Sequence, residues 1–310
     1  MGFNLVNLAL TIRTEDPFRL TKYLSLSGNA YAAACRSLSC RWPQRECESC
    51  SLDDTCGWHL VFGQALTTDP MALKRHQKPP LPFVFSFPAC NDPSEIQKLI
   101  VVGLVVIGRA IPQLEMLLNG FSDLIASEST PVRAEIAQIA CRDYHGSVQN
   151  ENVAPSLMQS GSIVPENLLI TSTDGLLDSR CCLGTTLDIY LMSPLRLLEA
   201  GHAAVNFKFG LFARSVMRRV SSLSFYYGES EMCCDFKELS RQVDDVVCID
   251  EHFGYANVTN RKCSGITGYG TFLGDFSLLI PFLIIGSFVH VGKGSSFGMG
   301  CYDVLTCEGS

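Results

Sequence analysis

Four glycines surround one lysine and two serines in Gly292-Lys293-Gly294-Ser295-Ser296-Phe297-Gly298-Met299-Gly300. Glycine admits φ > 0 and lets another backbone approach closely. Successive N–H groups in such a turn form a concave anion site, and Lys293 adds a point charge. The chemistry indicated is contact with phosphate, made by Gly292, Lys293, Gly294, Gly298 and Gly300 with His290 at the entrance. Neither usual nucleotide fingerprint fits. GxxxxGK[ST] carries its Lys after the glycines, and GxGxxG needs an acidic residue about 20 positions on. A tight turn between strands is the plainer alternative.

A second cluster, Cys40-x6-Cys47-x2-Cys50-x5-Cys56, lies in a short polar segment. Four thiolates can close a tetrahedral zinc site, and the metal would supply folding energy that so small a loop lacks. Cys35 and His59 are alternative ligands. The remaining cysteines of the fifteen are scattered and read as small buried hydrophobes. Without a secretory leader they indicate reduced thiols in a cytoplasmic protein rather than a disulfide framework.

A third group is basic. Arg196, Lys208, Arg214, Arg218 and Arg219 stand in a stretch with one acid, Glu199. Lys208, Arg214 and Arg218 fall along one side of an expected helix, a footprint for a phosphate backbone. An ordinary solvated helix face is the competing reading. The net charge of −7 and pI of about 5.4 exclude a chain coated with basic surface.

The elements that must position these groups follow from period and breakers. Phe3 to Ile12 alternates as a strand, and Ala30 to Leu38 reads as a helix capped by Asn29. Phe83 to Phe87 alternates again, Lys98 to Gly108 reads as a strand, Pro112 to Ile125 as a helix and Arg133 to Arg142 as a strand. Residues 143–170 read as a linker. Leu183 to Leu191 restarts with a strand that Ser193-Pro194 ends. Phe207 to Tyr227 has a helical repeat. Val246 to Ile249 and residues 265–274 read as strands, 275–285 as a helix, and a last strand follows the glycine loop.

At 310 residues, two domains are expected, 1–165 and 180–310, the first with a cysteine-rich insert at 40–62. Hydrophobic content of 47% against 18% charged residues describes a globular chain. The apolar runs Leu99 to Ile107 and Phe276 to Val289 are shorter than the roughly 18–20 residues of a membrane span and read as core. The start Met1-Gly2 lacks the Ser/Thr at position 6 that myristoylation needs, since Val6 stands there. The fold class is α+β, two successive β-α-β-β-α-β halves.

Several stretches resemble one family. Gly265-Ile266-Thr267-Gly268-Tyr269-Gly270-Thr271-Phe272-Leu273-Gly274-Asp275-Phe276 and Leu283 to Gly300 look like the carboxyl end of the CRISPR pre-crRNA-processing endoribonucleases of the RAMP superfamily. Leu191-Met192-Ser193-Pro194-Leu195-Arg196-Leu197 resembles a central strand end of that family, and Leu104 to Ala110 another segment. Cys56-Gly57-Trp58-His59-Leu60-Val61-Phe62 resembles the end of a cysteine insert found in many members.

The resemblance implies two tandem ferredoxin-like (RRM-like) domains and a glycine-rich loop that binds CRISPR repeat RNA, the pre-crRNA. It implies a metal-independent cut in which a ribose 2′-OH attacks the adjacent phosphate, leaving a 2′,3′-cyclic phosphate and a 5′-OH. No cofactor would serve catalysis, zinc being structural only. A base, an acid and a cation are needed. The family's histidine at the start of the first helix is absent here, where Gly28-Asn29-Ala30-Tyr31 stands. His59, Tyr31 and His76 are the catalytic candidates, and Arg36 could fill the same space as Tyr31. Two alternatives stay open: a non-catalytic RAMP subunit that holds guide RNA beside other CRISPR effector subunits, and a zinc-stabilised adaptor without RNA affinity.

Overall fold

The computed structural model describes residues 2–40, 47, 50, 56–73, 78–88, 98–143, 145–147, 158–159, 162–163, 168–180, 184–229, 234–257 and 263–307. The chain divides into two compact units, Asn4–Thr171 and Ser172–Ser310, with Met1–Phe3 joined to the second. Most of the expected linker at 143–170 lies outside the described residues. No helix among them is long and apolar enough to cross a membrane.

The first unit holds β1 (Asn4–Thr14), α1 (Pro17–Leu24), α2 (Gly28–Ser39), α3 (Pro70–Leu73), β2 (Phe83–Ser86), β3 (Leu99–Ile107), α4 (Leu114–Ala126) and β4 (Ala134–Cys141). A short antiparallel hairpin, β5 (Met158–Gln159) and β6 (Ser162–Ile163), and then β7 (Thr171–Ser172) close it. The main sheet has the antiparallel order β2-β3-β1-β4. With α2 and α4 as its crossover helices, this is one ferredoxin-like unit.

The unit is held by apolar burial. Leu5, Val6, Leu8, Leu10 and Ile12 of β1 are all within 1% of full burial. Leu114, Leu117, Leu118, Phe121 and Leu124 of α4 recur at three- and four-residue steps and are buried too. Gly120 lets α4 approach α2 closely: a Cβ there would lie 2.4 Å from Cys35 Sγ.

Two readings of this unit are corrected. Helix α2 begins at Gly28 rather than Ala30, with Ser27 in the cap position, so Asn29 lies inside the first turn. The Tyr31 N–H already donates to the Ser27 carbonyl at 2.8 Å. Sequence reading also passed over α1, although Asp16 Oδ1 accepts from the Arg19 N–H at 2.9 Å and Pro17 occupies the first turn.

The second unit runs α5 (Thr173–Arg180), β8 (Thr186–Leu195), β9 (Leu198–Glu199), β10 (His202–Ala203), α6 (Phe209–Tyr227), α7 (Phe236–Asp244), β11 (Val247–Ala256), β12 (Gly265–Leu273), α8 (Ile280–Val289) and β13 (Tyr302–Cys307). Its main sheet is antiparallel with order β11-β12-β8-β13. Helices α6 and α8 make this the second ferredoxin-like unit. The amino end of the chain is part of it: the Thr173 N–H donates to the Phe3 carbonyl at 3.1 Å and the Glu229 N–H to the Gly2 carbonyl at 3.0 Å.

Here too the sequence reading is adjusted. Strand β8 runs on through Ser193-Pro194 to Leu195, because its register against β12 jumps from Leu191↔Gly268 to Leu195↔Ile266. The irregularity accommodates a proline that cannot donate. The basic helix starts at Phe209, leaving Lys208 in the extended cap position. The apolar helix spans Ile280–Val289, five residues later than expected at its start, because Asp275 Oδ1 accepts from the Ser277 N–H and holds a turn first. Helix α7 and most of β11 are additions, in a stretch too polar to show a period.

Tyr31 is fully buried, with Phe62, Phe83, Phe85 and Phe121 edge-on at 5.9, 5.5, 5.3 and 6.4 Å. Its hydroxyl donates to the Leu117 carbonyl at 2.9 Å. Replacing Tyr31 by Phe removes that bond and is expected to cost about 1–2 kcal/mol in urea unfolding. Replacing it by Ala is expected to cost about 3–5 kcal/mol through the cavity it leaves.

Candidate functional site

The glycine loop follows α8 directly. Gly292, Gly294, Gly298 and Gly300 have φ of 87, 81, 85 and 64°, a region costly for residues with a Cβ. Space forbids a side chain as well. A Cβ on Gly300 would lie 1.8 Å from the Val291 carbonyl oxygen, and one on Gly292 would lie 2.6 Å from that of Arg196.

The loop is tied to the end of β8. Lys293 N–H donates to the Arg196 carbonyl at 2.9 Å, Gly300 N–H to the Pro194 carbonyl at 3.0 Å and Cys301 N–H to Ser193 Oγ at 2.9 Å. Val291 N–H donates to the Gly300 carbonyl at 3.0 Å, and Phe297 N–H to that of Gly294 at 2.9 Å. Ser295 and Ser296 turn inward and are buried, while Lys293 and Gly294 are exposed. Among the described residues, no backbone acceptor takes the N–H of Gly292, Gly294, Ser296 or Gly298. An exposed ammonium beside such N–H groups is suited to an anion.

Packed against the end of α8 is a cation that the sequence reading counted in the basic stretch and gave no separate role. Arg219 is deeply set, and its Nε donates to the Val289 carbonyl at 2.8 Å, at the last residue of α8. A guanidinium there meets the negative end of the helix dipole. Burial pulls its pKa down to about 10, with Tyr227 opposing. The sequence signal for burial was its place beside Val216 and Val220, at the edge of the apolar stripe of α6.

His290, expected to contact RNA, is 2% exposed and sits at φ 54° as the cap of α8. Burial first, and Arg219 second, hold its imidazole down to about 3, against the backbone of Met299 and Ser295. It is a neutral packing group inside the loop. That corrects its expected role: the solvent face belongs to Lys293.

The basic residues are not one face. Arg196 joins the loop through its backbone. Lys208 Nζ pairs with Glu199 Oε1 at 2.6 Å, and Arg214 pairs with Asp244 of α7. Arg218 is exposed on α6.

In the first unit, His59 is half-buried on a wide helical turn, His59–Gly63, with its ring against Gly63. Its neighbour Trp58 donates Nε1–H to the Ala32 carbonyl at 2.8 Å and carries the Arg36 guanidinium 5.1 Å above its ring. The segment after the cysteines is thereby docked on α2. Tyr31, within the aromatic core, faces no substrate, and burial raises its pKa well above the usual tyrosine value. His76 lies outside the described residues.

Burial pushes the Cys47 thiol up; Arg36 opposes this, and Cys40, Cys56 and Cys50 add to it. The four thiols are therefore electrostatic neighbours, and the Cys50 N–H donates to the Cys47 carbonyl at 3.0 Å. Among the described residues, no three ligating side chains are already gathered to hold a metal. In residue type the four cysteines are those of a zinc site.

Residues 189–302 match the family CRISPR-associated endoribonuclease Cas6, and residues 3–160 match the AF_1859_N family, an N-terminal domain. The fold is similar to a Cas6 product complex, with a TM-score of 0.60 and 14% identity over 98% of this chain and 100% of that one. For a Thermus thermophilus Cas6 the values are 0.56 and 13%, over 98% and 99%. For a partial Cas6-RT-Cas1–Cas2 complex they are 0.51 and 10%, over 98% of this chain and 46% of that one. At these identities the likeness is one of fold. No curated protein matches the chain.

The buried imidazole makes stability pH-dependent. The folded pKa of about 3 lies below the ordinary 6.5, so the unfolded chain binds the proton first. The stabilising contribution is whole above about pH 6.5 and falls as pH drops toward 3. At pH 5 the loss is ~2 kcal/mol. Thermal unfolding between pH 7 and 4 is expected to fall less steeply in His290→Gln than in the unaltered protein.

Proposed function

This chain belongs to the CRISPR-associated endoribonuclease Cas6 family, and on that premise we propose that it binds a CRISPR repeat RNA and cuts within it. The observation that carries the reading is the glycine loop. Four positive-φ glycines and exposed Lys293 are pinned to the backbone of Arg196, inside the segment that matches the family. Loop amides and the ammonium would hold a phosphate, with Arg196 and Arg218 adding charge.

The finer mechanism is our inference. A ribose 2′-OH attacks the adjacent phosphorus as its 5′-oxygen bond breaks, giving a 2′,3′-cyclic phosphate and a 5′-OH. No metal ion is needed when one side chain takes the 2′-proton and another returns a proton to the leaving oxygen. His59 or His76 is the base in this reading. A cation must also offset the charge that develops on the phosphorane. Other CRISPR effector subunits are proposed partners.

A second reading, a subunit that holds guide RNA without cutting, is favoured by one observation. No histidine stands at the start of α2, and Tyr31 nearby is enclosed in the core. We also propose a structural zinc on Cys40, Cys47, Cys50 and Cys56, which would order the insert without entering the chemistry.

End-labelled repeat RNA, incubated with EDTA in place of magnesium, should be cut once. The cut should vanish when the scissile sugar is 2′-deoxy. Replacing the true base, by His59→Ala or His76→Ala, should slow it by about 10²–10⁴-fold. Tight binding without a cut would establish the guide-holding subunit instead, and no binding would overturn both. Elemental analysis should find one zinc per chain, lost in a Cys47→Ser, Cys50→Ser double variant.

A further inference from the structure

The face of the second sheet opposite its buried helices carries aromatic rings in one row. Tyr190 of β8 is directly opposite Tyr269 of β12, and Tyr269 is opposite His252 of β11. The tyrosine rings lie 5.7 Å apart at 23°, and the His252 ring lies 4.8 Å from Tyr269. Tyr190 is 37% exposed and Tyr269 43%. Their sequence neighbours Ile189 and Gly270 point inward and are buried, so the outward position of both rings is fixed by the strand period.

Both tyrosines stand on the two central strands of a four-stranded β-α-β-β-α-β sheet. Aromatic side chains at such places stack unpaired bases in RRM-type sheets. Exposed aromatic rings otherwise cost solubility, and nothing in the core requires these two.

Carboxylates flank the row. Asp188 lies two residues before Tyr190 on the same face, opposite Thr271. Its Oδ1 is buried and accepts no hydrogen bond among the described residues. Asp303 is opposite Tyr190, and Asp250 holds His252 Nε2 at 3.2 Å. Three acids repel a phosphate chain, so the row does not suit the RNA backbone. A carboxylate acceptor beside a stacking ring suits the N–H edge of a base, and guanine presents two adjacent donors there, N1–H and its 2-amino group. Strand β8 also joins the row to the glycine loop: from Tyr190 to Arg196 the chain advances about 20 Å at ~3.3 Å per residue. A phosphate at the loop and a base on Tyr190 thus lie within a few nucleotides of one extended strand.

We propose that this face stacks unpaired bases of the bound RNA on Tyr190 and Tyr269 and that Asp188 favours guanine there by accepting its N–H groups. The proposal rests on the RNA-binding reading above and names the part of the RNA this face takes.

The test uses the full chain and a single-stranded repeat oligonucleotide made uncleavable by a 2′-deoxy sugar, with 2-aminopurine placed at successive positions. One position should be quenched on binding. Tyr190→Ala and Tyr269→Ala should each weaken binding by about 5- to 100-fold and relieve the quenching. Tyr190→Phe and Tyr269→Phe should keep both. The dependence on salt should stay as in the unaltered protein, because no phosphate contact is lost. Asp188→Asn should reduce the preference for guanine at the quenched position. Alanine variants that bind within twofold and quench fully, while Lys293→Ala weakens binding, would overturn this inference and leave RNA binding standing. An unaltered protein that binds no RNA would overturn both.

Discussion

One guanidinium holds the end of an apolar helix, and the loop beyond it depends on that anchor. Helix α8 is buried nearly all round, with Phe282, Leu283, Ile284 and Ile285 each at or below 4% exposure. Such a helix has no polar face to fix its rotation or its end. Arg219, reaching across from α6, takes the Val289 carbonyl and sets where the helix stops. From there the chain must reverse through four left-handed glycines to reach β13. Burial keeps His290 neutral and the same charge adds to it, so one cation bears on both the end of the helix and the protonation of the hinge.

The alternation of hydrophobic residues made most of the fold legible. Strands β1, β3, β4 and β12 and helices α2, α4 and α6 all carry strong periods, and their order identifies the ferredoxin-like pattern twice. What escaped was polar. Helix α7 buries only Leu239 and Val243 and is opened by Asp235, which accepts from the N–H of Lys237 and Glu238. Strand β11 is exposed along nearly its whole length, so its pairing with β12 rather than any burial keeps it extended.

The site was legible as residue types and less so as roles. Glycine spacing located the loop, because positive φ is a backbone property that sequence reports directly. Orientation is not reported in that way. Tyr31 and His290 were chosen for their chemistry, yet burial removes both from solvent. Arg214 was chosen for charge, and Asp244 of α7, an element absent from the sequence reading, takes that charge. Each of these depends on contacts between residues far apart in the chain.

The amino end has a consequence for how the molecule is made. Gly2 and Phe3 supply acceptors to Glu229 and Thr173, so residues that precede the first unit in the chain belong to the second. During synthesis the first unit can close around β1 while its leading residues still lack their partners. Those partners emerge only with the second half of the chain. A cut at the boundary near 171 would therefore separate the second unit from part of its own backbone.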